Sequence, residues 1–189
     1  MEMGKQDRRV RKTQAALNSA LVRLLKETEL KNVTVSKLAK TADVNRGTFY
    51  VHYRDVYDLF EQMENDALGE FAQIIQRYSD KEGVAWSQAI RDLFSFISEN
   101  CDTLEAILNC RESTFLAKAV DISRPKSMQE WERLFGPGQS EAYYGYCYAY
   151  ITSGSIALIK SWFLNGMKEG ASEMAILTDR LTASCMPLI

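Results

Sequence analysis

The chain has 189 residues, 46% of them hydrophobic and 25% charged, the balance of a globular protein with a sizeable core. Ten Gly and three Pro are too few for the turns of a β-sandwich or barrel, and they exclude collagen-like, mucin-like and low-complexity chains. The net charge of −2 is unevenly spread: residues 1–55 hold 12 Lys+Arg against 6 Asp+Glu, and residues 56–189 hold 11 against 19. A basic N-terminal third on an acidic body suits a polyanion, although a solvated basic helix face explains the charge equally well.

Cysteines at 101, 110, 147 and 185 form no CxxC pair, and His52 is the single histidine, so neither a zinc site nor a disulfide framework is expected. No apolar segment follows the basic start, and the tract Ala149–Leu164 is interrupted by Thr152, Ser153, Ser155 and Lys160. Neither a signal peptide nor a membrane span is expected, which leaves a cytoplasmic protein with reduced thiols.

Apolar residues at helical spacing (Leu17, Ala20, Leu21, Leu24, Leu25) predict a first amphipathic helix between Arg8 and Glu27. Thr34 then caps a two-turn helix with Val35, Leu38, Ala39 and Ala42 on one face, and Asn45 caps another, RGTFYVHY. Asp55 caps a longer helix, buried through Leu59, Phe60, Met63, Ala67, Phe71, Ile74, Ile75 and Tyr78, which is expected to belong to both halves of the chain. Beyond Gly83 the period resumes with Trp86, Ala89, Ile90, Leu93, Phe94 and Ile97, and Leu104, Ile107 and Leu108 mark a shorter piece. Phe115, Leu116, Ala119 and Val120 predict a helix ended by Pro125, followed by a brief SMQEWERLF segment halted at Gly136-Pro137-Gly138. From Glu141 to Phe163 a helix is apolar almost all round and stops at Asn165-Gly166, and Ser172 opens a last helix with Met174, Leu177 and Leu181. No alternating pattern competes, so the fold class is all-α with about nine helices.

Two short helices joined by Ala42-Asp43-Val44 have the build of a helix-turn-helix. Ala39 is small where the two helices cross, Asp43 is among the few residues tolerated in a left-handed turn, and Val44 and Phe49 wedge the second helix onto the first. That second helix presents Arg46, Thr48, Tyr50 and His52 with almost no competing carboxylate, a set suited to phosphates and base edges.

From about Arg11 to Phe71 the chain resembles the DNA-binding domain of the tetracycline-repressor (TetR) family of bacterial transcriptional regulators. The resemblance rests on Thr34-Val35-Ser36-Lys37-Leu38-Ala39 and on Arg46-Gly47-Thr48-Phe49-Tyr50-x-His52-Tyr53 followed by Leu59-Phe60. Between Tyr148 and Leu181, the string SGSIALIKSWFLNGMKEGASEMA is similar to a subgroup resembling the regulators of dihydroxyacetone kinase in Gram-positive bacteria. Residues 80–140 carry no specific resemblance. The implied division is a DNA-binding domain over 8–55, with its helix-turn-helix at about 34–53 and an extension into the fourth helix to about 71, followed by a helical regulatory and dimerisation domain over 56–189. Two positions depart from the pattern: Asp43 replaces a frequent Gly, and Val56 replaces a frequent Lys for which Arg54 can substitute.

The resemblance implies that Arg46 reads a base, its guanidinium pairing with guanine O6 and N7. Gly47 allows close approach, Val51 meets a thymine methyl, and Asn45 and Ser36 lie at the groove edge. Thr34, Lys37, Thr48, Tyr50, His52 and Arg54 are assigned to phosphates, which fix register without reading sequence. The implied partners are a palindromic double-stranded DNA operator, a second copy of the chain and a small-molecule effector, with no membrane.

Ser153, Gly154 and Ser155 allow close backbone approach, so Ile151, Ser155, Leu158, Ile159, Trp162, Met174, Leu177 and Leu181 are the expected homodimer interface, in competition with an intrachain core. Trp86, Phe94, Phe115, Trp131, Tyr143, Tyr146 and Tyr150 are the candidate lining of an effector pocket, and a plain aromatic core explains them equally well. No nucleophile elbow, P-loop, HExxH or DxD-like site is present, so no catalytic residue, metal or cofactor is expected. Two alternatives to a repressor stay open: a coregulator of the same fold acting through protein contacts, and an activator.

Overall fold

The computed structural model describes residues 3–78, 85–135 and 140–185. Among them the helices are α1 (Met3–Leu25), α2 (Val35–Thr41), α3 (Arg46–His52), α4 (Val56–Arg77), α5 (Ala85–Glu99), α6 (Cys101–Asn109), α7 (Phe115–Phe135), α8 (Glu141–Leu164) and α9 (Ala171–Cys185). A single 3-10 turn, Leu30–Asn32, joins α1 to α2. No strand occurs among the described residues, and the chain is all-α as its periodicity implies.

The helices pack as two units. One runs to Ala67 and takes in Asp102–Phe115; the other comprises Leu68–Cys101 and the chain from Leu116 onward. In the first, Leu17 and Leu21 of α1, Leu38 of α2, Phe49 of α3, Leu59 of α4 and Ile107 of α6 are fully buried. Each such side chain contributes about 1.5–3 kcal/mol relative to exposure, which is what holds helices as short as α2 and α3 that would not persist alone.

In the second unit α5 packs along α9, and Ile90, Phe94, Trp162, Met174 and Ala175 form one buried cluster. A second cluster joins α7 to α8 through Tyr144, Tyr148, Val120 and Met128. The end of α8 closes as Asn165-Gly166 predicts: Gly166 takes φ +74°, and the Met167 N–H donates to the Trp162 carbonyl at 2.9 Å. The Trp162 indole N–H donates to the Glu169 carbonyl at 3.0 Å and pins the turn into α9.

One boundary differs from the sequence reading. The helix expected to end at Pro125 continues through it, so SMQEWERLF is the second half of α7 and not a separate piece. Proline's missing N–H orphans only the carbonyl four residues back, and that residue, Asp121, is exposed to water. Hydroxyls bond the neighbouring carbonyls: Ser123 donates to Ala119 at 2.9 Å, Ser127 to Ser123 at 3.1 Å, and Tyr148 of α8 to Val120 at 3.0 Å. The expected breaks at Gly83 and at Gly136-Pro137-Gly138 lie outside the described residues. The last helix opens at Ala171, ahead of Ser172, and the Glu173 carboxylate accepts the Gly170 N–H at 2.8 Å.

Candidate nucleic-acid interface

The turn between α2 and α3 is built on Asp43, whose φ of +54° puts it in the left-handed region, as its place in the turn predicts. The Val44 N–H reaches back to the Ala39 carbonyl at 2.9 Å, closing α2 at its crossing with α3, and Ala39 itself is buried. Both helices carry side-chain caps: Thr34 Oγ1 accepts the Lys37 N–H at 3.2 Å, and Asn45 Oδ1 accepts the Gly47 N–H at 2.7 Å. A Cβ on Gly47 would stand 3.2 Å from that Asn45 oxygen, so glycine here leaves room for the cap. With their oxygens so engaged, the Asn45 amide NH2 and the Thr34 hydroxyl proton are the groups left to donate outward.

Phe49 anchors α3 from below and meets the Tyr50 ring edge-on, centroids 5.4 Å apart, and the Tyr53 ring at 5.6 Å. Above this anchor, Arg46, Gly47, Tyr50 and Val51 are exposed, Tyr50 by 53% and Val51 by 77%, while Thr48 and His52 are half-buried. Val51 is thus an exposed apolar side chain on a helix without a single carboxylate. Ser36 and Lys37 of α2 are exposed as well.

Two of the expected phosphate-binding cations have carboxylate neighbours. Lys37 Nζ lies 3.8 Å from Glu27, and the Arg54 guanidinium lies 3.3 Å from Asp58. The exposed Lys37–Glu27 pair contributes only about 0–1 kcal/mol, so a phosphate can displace that carboxylate, whereas Asp58 is half-buried and holds Arg54 more firmly. Asp58 is a residue the sequence reading missed. It accepts the Arg54 backbone N–H at 2.8 Å and the guanidinium, which hold its carboxyl below the usual carboxylate range, and its own N–H is capped by Asp55 at 2.8 Å. The spacing Asp55-x-x-Asp58, that of a capping box, was the available signal.

The expected effector-pocket residues whose side chains are described fall in both units. Phe94 packs against Trp162 with centroids 5.6 Å apart, and Tyr143 flanks the cluster of Tyr144 and Tyr148. Tyr146 and Tyr150 are 76% and 69% exposed, and Phe115 is buried in the first unit. The side chains of Trp86 and Trp131 lie outside the described residues. Of the expected interface residues, Trp162 and Met174 are buried in the chain's own core. Leu177 and Leu181 are exposed, whereas Ile151, Ser155, Leu158 and Ile159 are half-buried. Ile151, Ser155, Leu158 and Leu181 share a groove of about 150 Å³ with Tyr150 and Gly154. Among the described residues no group of His, Cys, Asp and Glu is placed to hold a metal, and no helix is long and apolar enough to cross a membrane.

Comparison with known proteins agrees with this geometry. Residues 17–63 match the family of bacterial regulatory proteins called tetR, and residues 85–184 match a transcriptional regulator C-terminal region. The uncharacterized HTH-type transcriptional regulator YxbF of Bacillus subtilis (strain 168) is 25% identical over 104 residues, which are 51% of this chain and 26% of that protein. The chain thus spans about a quarter of the length of the curated relative it matches. Among solved structures, a TetR transcriptional regulator from Streptococcus agalactiae 2603V superimposes with a TM-score of 0.63 at 20% identity, covering 96% of this chain and 99% of that one. The regulator FadR of Bacillus subtilis, solved with stearoyl-CoA, gives 0.66 at 16% identity over 92% and 99% of the two chains. The dihydroxyacetone kinase operon activator DhaS gives 0.59 at 17% identity over 91% and 94%. These likenesses establish the fold.

Proposed function

This chain belongs to the tetR family of bacterial regulatory proteins, and we propose that it represses transcription in the cytoplasm by occupying a palindromic DNA operator as a homodimer. The observation that carries the reading is the outer face of α3: Arg46, Tyr50 and Val51 exposed on a capped, anchored helix that has no carboxylate. Arg46 reads a guanine, Val51 contacts a thymine methyl, and Asn45 and Ser36 border the groove. Thr34, Lys37, Thr48, Tyr50, His52 and Arg54 hold phosphates. In this reading 8–55, with α4 to about residue 71, binds DNA, and 56–189 dimerises and responds to a signal.

A seven-residue recognition helix spans a half-site only, so a palindrome needs two heads about 34–36 Å apart or a multiple of that. The groove between α8 and α9 supports the pairing: Leu177 and Leu181 stand out from α9, and a Cβ added at Gly154 of α8 would meet nothing within 4 Å. That open backbone is where a partner helix can approach closely. Release by a small molecule completes the proposal, and the stearoyl-CoA held by one fold neighbour makes acyl-CoA esters the first class to screen.

Selection from a pool of random duplexes by the full-length protein tests the reading. Enrichment of a palindrome, followed by lower transcription from a promoter carrying it, is the expected result. Higher transcription reverses the direction of control, and a pool without enrichment transfers the function to the coregulator alternative.

A further inference from the structure

Glu64 is a carboxylate that the DNA-binding reading leaves unused. It lies on α4, is 3% exposed, and accepts hydrogen bonds from the Ser113 hydroxyl, the Thr114 N–H at 2.9 Å, the Thr114 hydroxyl at 3.1 Å and the Phe115 N–H at 3.2 Å. The two N–H donors belong to the start of α7, where backbone amides have no partner within the helix. A side chain of α4 thus caps the first turn of α7, and the residues involved all lie in the first unit.

Several exposed ion pairs also link that unit. Lys26, just past α1, pairs with Asp102 and Glu105 of α6, and Arg111 pairs with Glu29; Arg54, just beyond α3, is itself exposed and pairs with the half-buried Asp58 of α4. In sequence they trace a circuit from α1 to α6, through the corner at 113–115 to Glu64, and along α4 to the end of the recognition helix. Exposed ion pairs contribute little, whereas a buried carboxylate left without its donors, or donors left without it, lose their full desolvation cost. The strength of the circuit is therefore concentrated at Glu64.

We propose that Glu64 is a positioning residue for operator reading: by clamping the 113–115 corner onto α4 it fixes the angle at which α4 carries α3. The proposal rests on the DNA-binding reading above. Specific contacts need both recognition helices at a set angle and spacing, whereas non-specific phosphate contacts tolerate looseness. Loss of the clamp therefore lowers operator preference selectively, which plain destabilisation of a folded protein does not do.

The test compares full-length wild-type, Glu64→Leu, Glu64→Gln and, as an exposed control, Lys26→Ala. Affinity for operator and random duplexes across a salt series is measured well below the melting temperature, with amide hydrogen exchange recorded for each protein. Glu64→Leu is expected to weaken operator binding about tenfold or more, the scale of one buried polar partner lost. Its random-DNA affinity and salt slope stay unchanged, and Lys26→Ala stays within about twofold on both duplexes. Exchange at Thr114, Phe115 and across α3 is expected to speed up. If Glu64→Leu does not fold, Glu64→Gln decides, because it keeps the shape and one acceptor oxygen; a smaller loss in the same selective pattern upholds the clamp. A folded variant with unchanged operator affinity, or with equal loss on both duplexes, overturns it. Wild-type protein without operator preference overturns the DNA-binding reading instead. The exchange rates across α3 then judge the clamp alone, faster exchange upholding it and unchanged exchange overturning it.

Discussion

Arg46 and Lys37 are both exposed cations of the first unit, yet their removal is expected to have different consequences. Arg46 opens α3, on the helix that carries Val51 and Tyr50, where a planar guanidinium can pair with a guanine edge. Lys37 stands on α2 within 3.8 Å of Glu27, a compact charge suited to a phosphate. Arg46→Ala is expected to cost about 1–3 kcal/mol on the operator and to relax preference at one base position. Lys37→Ala is expected to weaken binding to every duplex alike and to reduce the salt slope by about one. Competition binding with operators substituted one base at a time distinguishes the two. An Arg46→Ala protein that loses equally on operator and random DNA contradicts the base-reading role. Both residues are singled out in the sequence by their motif string, whereas the spacing Asp55-x-x-Asp58 signals a cap but not the ion pair, which shows only once Arg54 is folded back onto Asp58.

Among the elements, the short capped helices were the easiest to read. Thr34, Asn45 and Asp55 each accept the amide bond that their place before a helix predicts, since capping is local chemistry set by two or three residues. The path of α7 was illegible because it depends on a partner far along the chain. Pro125 reads as a stop, but Tyr148 of α8 bonds a carbonyl beside the gap and Ser123 and Ser127 bond others. Because the proline still removes one helical hydrogen bond, Pro125→Ala is expected to stabilise the protein by about 1–3 kcal/mol, less the entropy by which proline restrains the unfolded chain. Urea denaturation reads the change as a higher midpoint at equal slope. A lower midpoint contradicts the view that the surrounding hydroxyls compensate for a defect. The faces of α8 were illegible for a different reason: a helix apolar all round has no pattern to tell core from surface. Only packing showed that Trp162, 2% exposed, points inward while Tyr146 and Tyr150 point outward.

For the whole molecule, the asymmetry of charge takes on meaning beside the fold. The basic third of the sequence holds α1 to α3, and the acidic remainder holds the long helices whose outer residues include Tyr150, Leu177 and Leu181. A chain so divided can meet DNA through one part and a second copy through the other, with the acidic body repelled from phosphates. Homodimeric operator binding is the central claim, and one titration addresses it most directly. Purified protein is added to a fluorescent duplex carrying the palindrome selected from the random pool, and to a random duplex, with anisotropy followed over a series of salt concentrations. The expected result is two chains per duplex, an operator affinity about a thousandfold or more above the random control, and a steep fall with salt. Equal affinity for the two duplexes at every salt concentration, or saturation by a single chain, would contradict it.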